Sequence, residues 1–89
     1  MKVLMIGAGD IARSHARAAV KLGGSIVGAF DVNAEGLKSF AKEFDCAQLT
    51  YEQIPEYVEL ADYAVISTPP TKRLDYCEMV LSKHLPLYL

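Results

Sequence analysis

The chain has 89 residues, 52% of them hydrophobic and 22% charged, and carries a net charge of −2 with its nine lysines and arginines scattered. That length holds one small domain, and the composition belongs to a packed globular chain, not a disordered one. With no basic stripe and no apolar run near the ~20 residues of a membrane span, neither nucleic acid nor membrane is an expected partner.

The elements follow in chain order. Residues 3–7 (VLMIG) form a short continuous apolar run, as expected of a strand buried on both faces. Only four apolar residues separate Lys2 from Gly7, too few for a secretory core, so a cytoplasmic location is expected. From Ile11 the apolar positions take helical spacing: Ile11, His15, Ala18 and Leu22 share a face, with Ala12, Ala16 and Ala19 beside them. Gly23-Gly24 supplies a helix stop. Residues 25–31 (SIVGAFD) read as a second strand, and Asn33 as the N-cap of a second helix with Leu37, Phe40, Ala41 and Phe44 on one stripe.

A short third strand (AQLT) precedes a third helix carrying Ile54, Tyr57, Val58 and Ala61. Its start stays open: Thr50 and Gln53 suit a capping box, while Pro55 suits a first helical position. Residues 62–68 (DYAVIST) form a fourth strand ended by Pro69-Pro70. Leu74, Cys77, Val80 and Leu81 mark a fourth helix, and PLYL a fifth strand beginning at Pro86. Strict alternation with short connections predicts an α/β fold: a Rossmann-type parallel sheet of about five strands, order 3-2-1-4-5, with helices on both faces. Cys46 and Cys77 lie 31 residues apart without metal spacing and read as reduced packing thiols.

Residues 7–12 spell G-x-G-x-x-A, a variant of the dinucleotide fingerprint. In that role Gly7 permits the sharp turn off the strand, and Gly9 lets backbone approach a pyrophosphate. Ala12 lets the helix pack closely, and the helix N-terminus offers amides and partial positive charge to the phosphates. A tight strand-to-helix corner needs glycine too, so the hexapeptide alone is a weak signal. The context strengthens it: a strand precedes, a helix follows, and Asp31 stands 22 residues after Gly9 at the end of the second strand, where a carboxylate accepts hydrogen bonds from the adenosine ribose. That carboxylate repels a 2′-phosphate, and Val32 and Asn33 follow it without an arginine, so NAD is favoured over NADP. Asp10 is discordant beside a pyrophosphate and reads as a first-turn helix stabiliser. No tyrosine has a lysine four residues later, which removes the short-chain dehydrogenases, and the glycine expected of a methyltransferase is replaced by Ile11.

With these features in place, the chain resembles the N-terminal domain of the Gfo/Idh/MocA oxidoreductases over nearly its whole length. GAGDIARSHARA is similar to the family's G-x-G-x-I-A-x-x-H-A opening, FDVN to its second-strand end, and DYAVISTPP to its fourth strand with a T-P-P corner. The resemblance implies that Gly7, Gly9, Asp10, Ile11 and Ala12 surround the pyrophosphate and that Asp31 and Val32 border the adenosine. Ser67, Thr68, Pro69 and Pro70 would lie along the nicotinamide half. His15 matches a family histidine and is expected to pack in the core. Arg73 departs from the pattern, where the family carries a histidine.

The resemblance also implies a Glu-Lys-Pro segment and a C-terminal substrate domain after residue 89. The chain is therefore expected to be an incomplete dinucleotide-binding domain, 1–89, of an oxidoreductase acting on a sugar, cyclitol or similar secondary alcohol. No catalytic residue or metal ligand is assigned to it, Lys72, Lys83 and His84 being candidates by type only. A small-molecule substrate belongs to the full-length protein, and a homo-oligomer is one arrangement it could take. The alternative is a free-standing nucleotide-binding or dimerisation module without enzymatic activity.

Overall fold

A computed structural model describes residues 1–67 and the backbone of residues 87–88. The expected fourth helix, Thr68, Pro69, Pro70, Lys72, Arg73, Cys77, Lys83, His84 and Pro86 lie outside the described residues. The strands are β1 (Lys2–Ile6), β2 (Ser25–Phe30), β3 (Ala47–Gln48), β4 (Tyr63–Ile66) and β5 (Leu87–Tyr88). The helices are α1 (Asp10–Lys21), α2 (Ala34–Phe44) and α3 (Ile54–Leu60). All strand pairs are parallel and the order is β3-β2-β1-β4-β5, as the alternation of elements predicts.

The central strand explains the layering. Val3 and Met5 point into a core with Ala12 and Ala16 of α1 and Leu37 and Phe40 of α2. Leu4 and Ile6 point the other way, against Ile54 and Val58 of α3. The four are at most 1% exposed, which is why the run is unbroken by polar residues. Helices on one face carry the chain outward from β1 to β3. The return to β4 crosses the opposite face, as right-handed connections require.

The face of α1 departs from the expectation. Ala12 and Ala16 are the fully buried residues and Ala19 packs beside them, whereas Ile11 is 69% and Leu22 89% exposed. The sheet meets the alanine stripe because small side chains let the helix axis approach the strands. His15 is correspondingly exposed and has no core role. It borders a groove of about 290 Å³ with Met1, Tyr63 and Val65. Since Met1 precedes β1 and Tyr63 opens β4, that groove extends toward the amino ends of the strands.

The helix ends behave as read. Leu22 closes α1, and Gly23, at φ +91°, donates its N–H to the Val20 carbonyl at 3.0 Å, while Gly24 donates to Ala19 at 2.9 Å. Asn33 caps α2, its Oδ1 accepting the Gly36 N–H at 3.0 Å. Both features that left the start of α3 open are present in succession. Gln53 Oε1 accepts the Thr50 N–H at 2.9 Å over a 3-10 turn (Tyr51–Gln53), and α3 then begins at Ile54 with Pro55 in its first turn, where no donor is needed.

Candidate functional site

Parallel strands end on a common edge, and there the glycine turn leaves β1. Its stem is stitched to both neighbours: the Gly7 N–H donates to the Phe30 carbonyl at 2.7 Å, and the Ser67 N–H to the Ile6 carbonyl at 2.9 Å. Gly7 has φ +114°, and a Cβ there would stand 2.5 Å from Ser67 Oγ and 3.1 Å from the Ser67 carbonyl carbon. Backbone conformation and packing both demand glycine. Because β2 lies on one side of β1 and β4 on the other, this is the point where strand order reverses, the position at which open α/β sheets bind ligands.

Asp31 faces the turn from the end of β2. Its Oδ2 accepts the Ala8 N–H at 2.7 Å and its Oδ1 the Asn33 N–H at 2.8 Å. The second bond is an Asx-type turn that also sets the Asn33 cap in place. The signal for it was in the sequence, since an aspartate two residues before a helix cap can bond the capping amide. The Ala8 contact had no sequence signal, because its donor is a backbone N–H brought close only by the sheet. A carboxylate has about four acceptor positions, so two remain after these bonds, enough for the two hydroxyls of a ribose.

The rest of the site fits a dinucleotide. Gly9 has an ordinary φ of −81°, and among the described residues nothing lies within 4 Å of a Cβ built there. Among the described residues neither backbone nor packing demands this glycine, and an open backbone here is what close approach of a pyrophosphate requires. No side chain among the described residues caps α1, and its first intrahelical bond runs from Arg13 N–H to the Gly9 carbonyl at 3.0 Å. The amides of Asp10, Ile11 and Ala12 therefore precede the helical ladder and face an anion's natural position. Ser67 Oγ is buried without a hydrogen-bond partner among the described residues, an orphan polar atom at the same edge.

Of the other residues expected at the site, Ala12 is fully buried under α1, Asp10 occupies the exposed first turn, and Ile11 and Val32 are 69% and 71% exposed. The structure thus brings Gly7, Gly9, Asp10, Ile11, Ala12, Asp31, Val32 and Ser67 to one edge. Cys46 is no competing nucleophile: half-buried, its thiol is pushed up to about 11, chiefly by burial and then by the charge of Asp45. Among the described residues no group of side chains could hold a metal, and no helix is long and apolar enough to cross a membrane.

A parallel sheet in this order, with a glycine turn and an acidic second strand meeting at the reversal point, defines a Rossmann dinucleotide-binding domain. The model of the oxidoreductase family with an NAD-binding Rossmann fold matches residues 1–88, and the chain belongs to this Gfo/Idh/MocA family as its NAD-binding domain. It is 30% identical over 84 residues to glucose-6-phosphate 3-dehydrogenase of Bacillus subtilis (strain 168), covering 93% of this chain and 23% of that protein. The fold is shared with UDP-N-acetylglucosamine 3-dehydrogenase of Acidithiobacillus ferrooxidans, at TM-score 0.83 and 24% identity over 98% of this chain and 28% of that one. It is shared too with myo-inositol dehydrogenase of Lactobacillus casei, solved in complex with NAD(H) and myo-inositol, at TM-score 0.80 and 16% identity over 98% and 27%. The chain spans about a quarter of the length of these relatives.

Proposed function

We propose that this chain is the cofactor-binding part of an oxidoreductase that moves hydride between NAD and a ring secondary alcohol of a sugar or cyclitol. Gly7, Gly9, Asp10, Ile11 and Ala12 surround the pyrophosphate, Asp31 and Val32 border the adenosine, and Ser67, Thr68, Pro69 and Pro70 flank the nicotinamide half. A nicotinamide held there would supply the hydride acceptor or donor for the carbinol carbon. The chain's own share is to bind and orient. Helix amides neutralise phosphate charge, the open face of Gly9 admits the diphosphate to the backbone, and Asp31 takes the ribose diol. The chain spans about a quarter of its relatives' length, and the group that takes the alcohol proton, with the substrate pocket, is assigned to the remainder of such a protein. Consistent with the substrate class, the relatives named above act on glucose 6-phosphate, a UDP-linked amino sugar and myo-inositol.

The observation that carries this reading is Gly9, a glycine that neither its backbone conformation nor any described neighbour demands. Asp31 carries the cofactor preference: with both oxygens held by backbone amides, its charge cannot swing away from a 2′-phosphate. Calorimetric titration of the purified chain with NAD and NADP tests both points. Saturable NAD binding, with NADP at least roughly tenfold weaker, is expected from one unscreened charge clash. A folded chain that binds neither would sink the proposal.

A further inference from the structure

The two bonds on Asp31 give it a second task that the ribose does not require. We infer that Asp31 is the positioning residue of the glycine turn, holding the Ala8 amide so that the turn takes its binding shape before any cofactor arrives. Three observations support this. The Ala8–Asp31 bond is short, 2.7 Å, and joins residues 23 apart in sequence. Ala8 is buried, 3% exposed, so without Asp31 its N–H would be cut off from water and left unpaired. The carboxylate is itself fixed from behind by Asn33, whose side chain starts α2, so the turn is referenced to a packed helix and not to a loose loop. On the other side of the turn, Gly7 is locked against Ser67. The stretch between them, Ala8 to Gly9, is therefore held at both ends while its outer face stays open.

This inference rests on the dinucleotide reading and adds to it a coupling between two subsites. Losing the carboxylate removes the ribose acceptor and also frees the turn that meets the diphosphate. A residue that only received the ribose would affect the first alone. One consequence concerns cofactor preference: replacing Asp31 by a small residue, the direct way to admit a 2′-phosphate, disorders the turn and lowers affinity for both cofactors.

The test uses the whole 89-residue chain. Amide exchange at Ala8 is followed by nuclear magnetic resonance without ligand, in the native chain and in Asp31→Ala. Binding of ADP and of 2′,3′-dideoxy-ADP, which keeps the diphosphate and lacks both ribose hydroxyls, is titrated on the same samples. The expected result is Ala8 exchange faster by roughly tenfold or more in the variant, the worth of a charge-assisted hydrogen bond, with Met5 and Ile6 exchange unchanged. The dideoxy ligand should also bind the variant several-fold more weakly. Unchanged Ala8 exchange overturns the inference, as does a loss confined to ADP. Should Asp31→Ala fail to fold, Asp31→Asn replaces it: faster Ala8 exchange supports the inference and native protection overturns it. A native chain that binds neither ligand defeats the dinucleotide reading, and Ala8 exchange still decides the positioning role.

Discussion

The stem and the lip of the glycine turn lie two residues apart and are built to opposite rules. At the stem, Gly7 donates to Phe30 while Ile6 before it accepts from Ser67, and Gly7 itself has a positive φ and no room for a methyl group. At the lip, Gly9 has a conformation any residue can adopt and, among the described residues, no atom within 4 Å of where a Cβ would go. A sequence motif records both as the letter G. The structure separates them into a glycine that the fold needs and a glycine that the fold around it does not demand. Mutations can break that distinction in order of expected size.

The largest effect belongs to Gly7→Ala. A methyl group at φ +114° meets Ser67 within 2.5 Å, combining backbone strain with overpacking, so a stability loss of about 2–5 kcal/mol is expected. In a domain this small each kcal/mol shifts the midpoint by about 4–8 °C, so thermal unfolding followed by circular dichroism resolves it easily. A variant as stable as the native chain would show that the stem is not a folding element. Gly9→Ala should do the reverse. Its melting should stay within about 0.5 kcal/mol of native. Its NAD affinity should fall by roughly tenfold or more, because the methyl group occupies the approach to the backbone. Equal affinity would remove the ligand's claim on this glycine.

The same contrast explains what could be read in advance. Strand order, the alternation of elements, the Asn33 cap and the stripe of Leu37, Phe40 and Ala41 follow from local chemistry, because hydrophobic period and capping residues act within a few positions of themselves. The face of α1 did not follow. Ile11 and Leu22 are the more hydrophobic residues, yet Ala12 and Ala16 meet the sheet, since helix–sheet distance and not side-chain hydrophobicity decides which stripe fits. His15 was misplaced into the core with that face. At the site, the glycines and Asp31 were legible as letters. The bond from Ala8 was not, because the adjacency of β1 and β2 does not by itself tell which backbone N–H the Asp31 carboxylate meets.

Ser67 connects stem and candidate site, and its removal is a smaller test of both. Its buried hydroxyl lacks a partner among the described residues, so Ser67→Ala should leave stability unchanged or raise it by up to about 1 kcal/mol. In the Gly7→Ala background the gain should be larger by about 0.5 kcal/mol or more, since the closest atom to the new methyl group is gone. The rescue must stay partial, because the positive φ and the backbone contact at 3.1 Å remain. Additive effects in the double-mutant cycle would mean that the two residues do not press on each other as their geometry requires. A loss of NAD affinity in the single variant would assign the hydroxyl to the ligand.

The smallest expected effect lies away from the turn, where α1 is tied to α2 on the surface. Glu43 accepts from Arg13 Nη1 at 2.7 Å and from Arg17 Nε at 2.8 Å, and Arg13 also donates to Ser39 Oγ at 2.9 Å. The Arg17 hydrogen bond, reinforced by both arginine charges, holds the Glu43 carboxyl below its ordinary value. A carboxyl lowered on folding stabilises the chain above its unfolded-state value and loses that contribution as the pH falls through the folded one. Glu43→Gln should therefore melt slightly below the native chain at neutral pH. The gap should narrow in high salt and close in acid, once the carboxyl is protonated in both folded and unfolded chains. A gap that persisted in acid would point to packing rather than charge between the helices. NAD affinity should not follow the gap at any pH, because the turn is anchored through Asp31 and Ser67 and α1 meets the sheet through its alanines. A parallel loss of affinity would show that the lip depends on how α1 is held, and that stem and lip are less separable than their two glycines indicate.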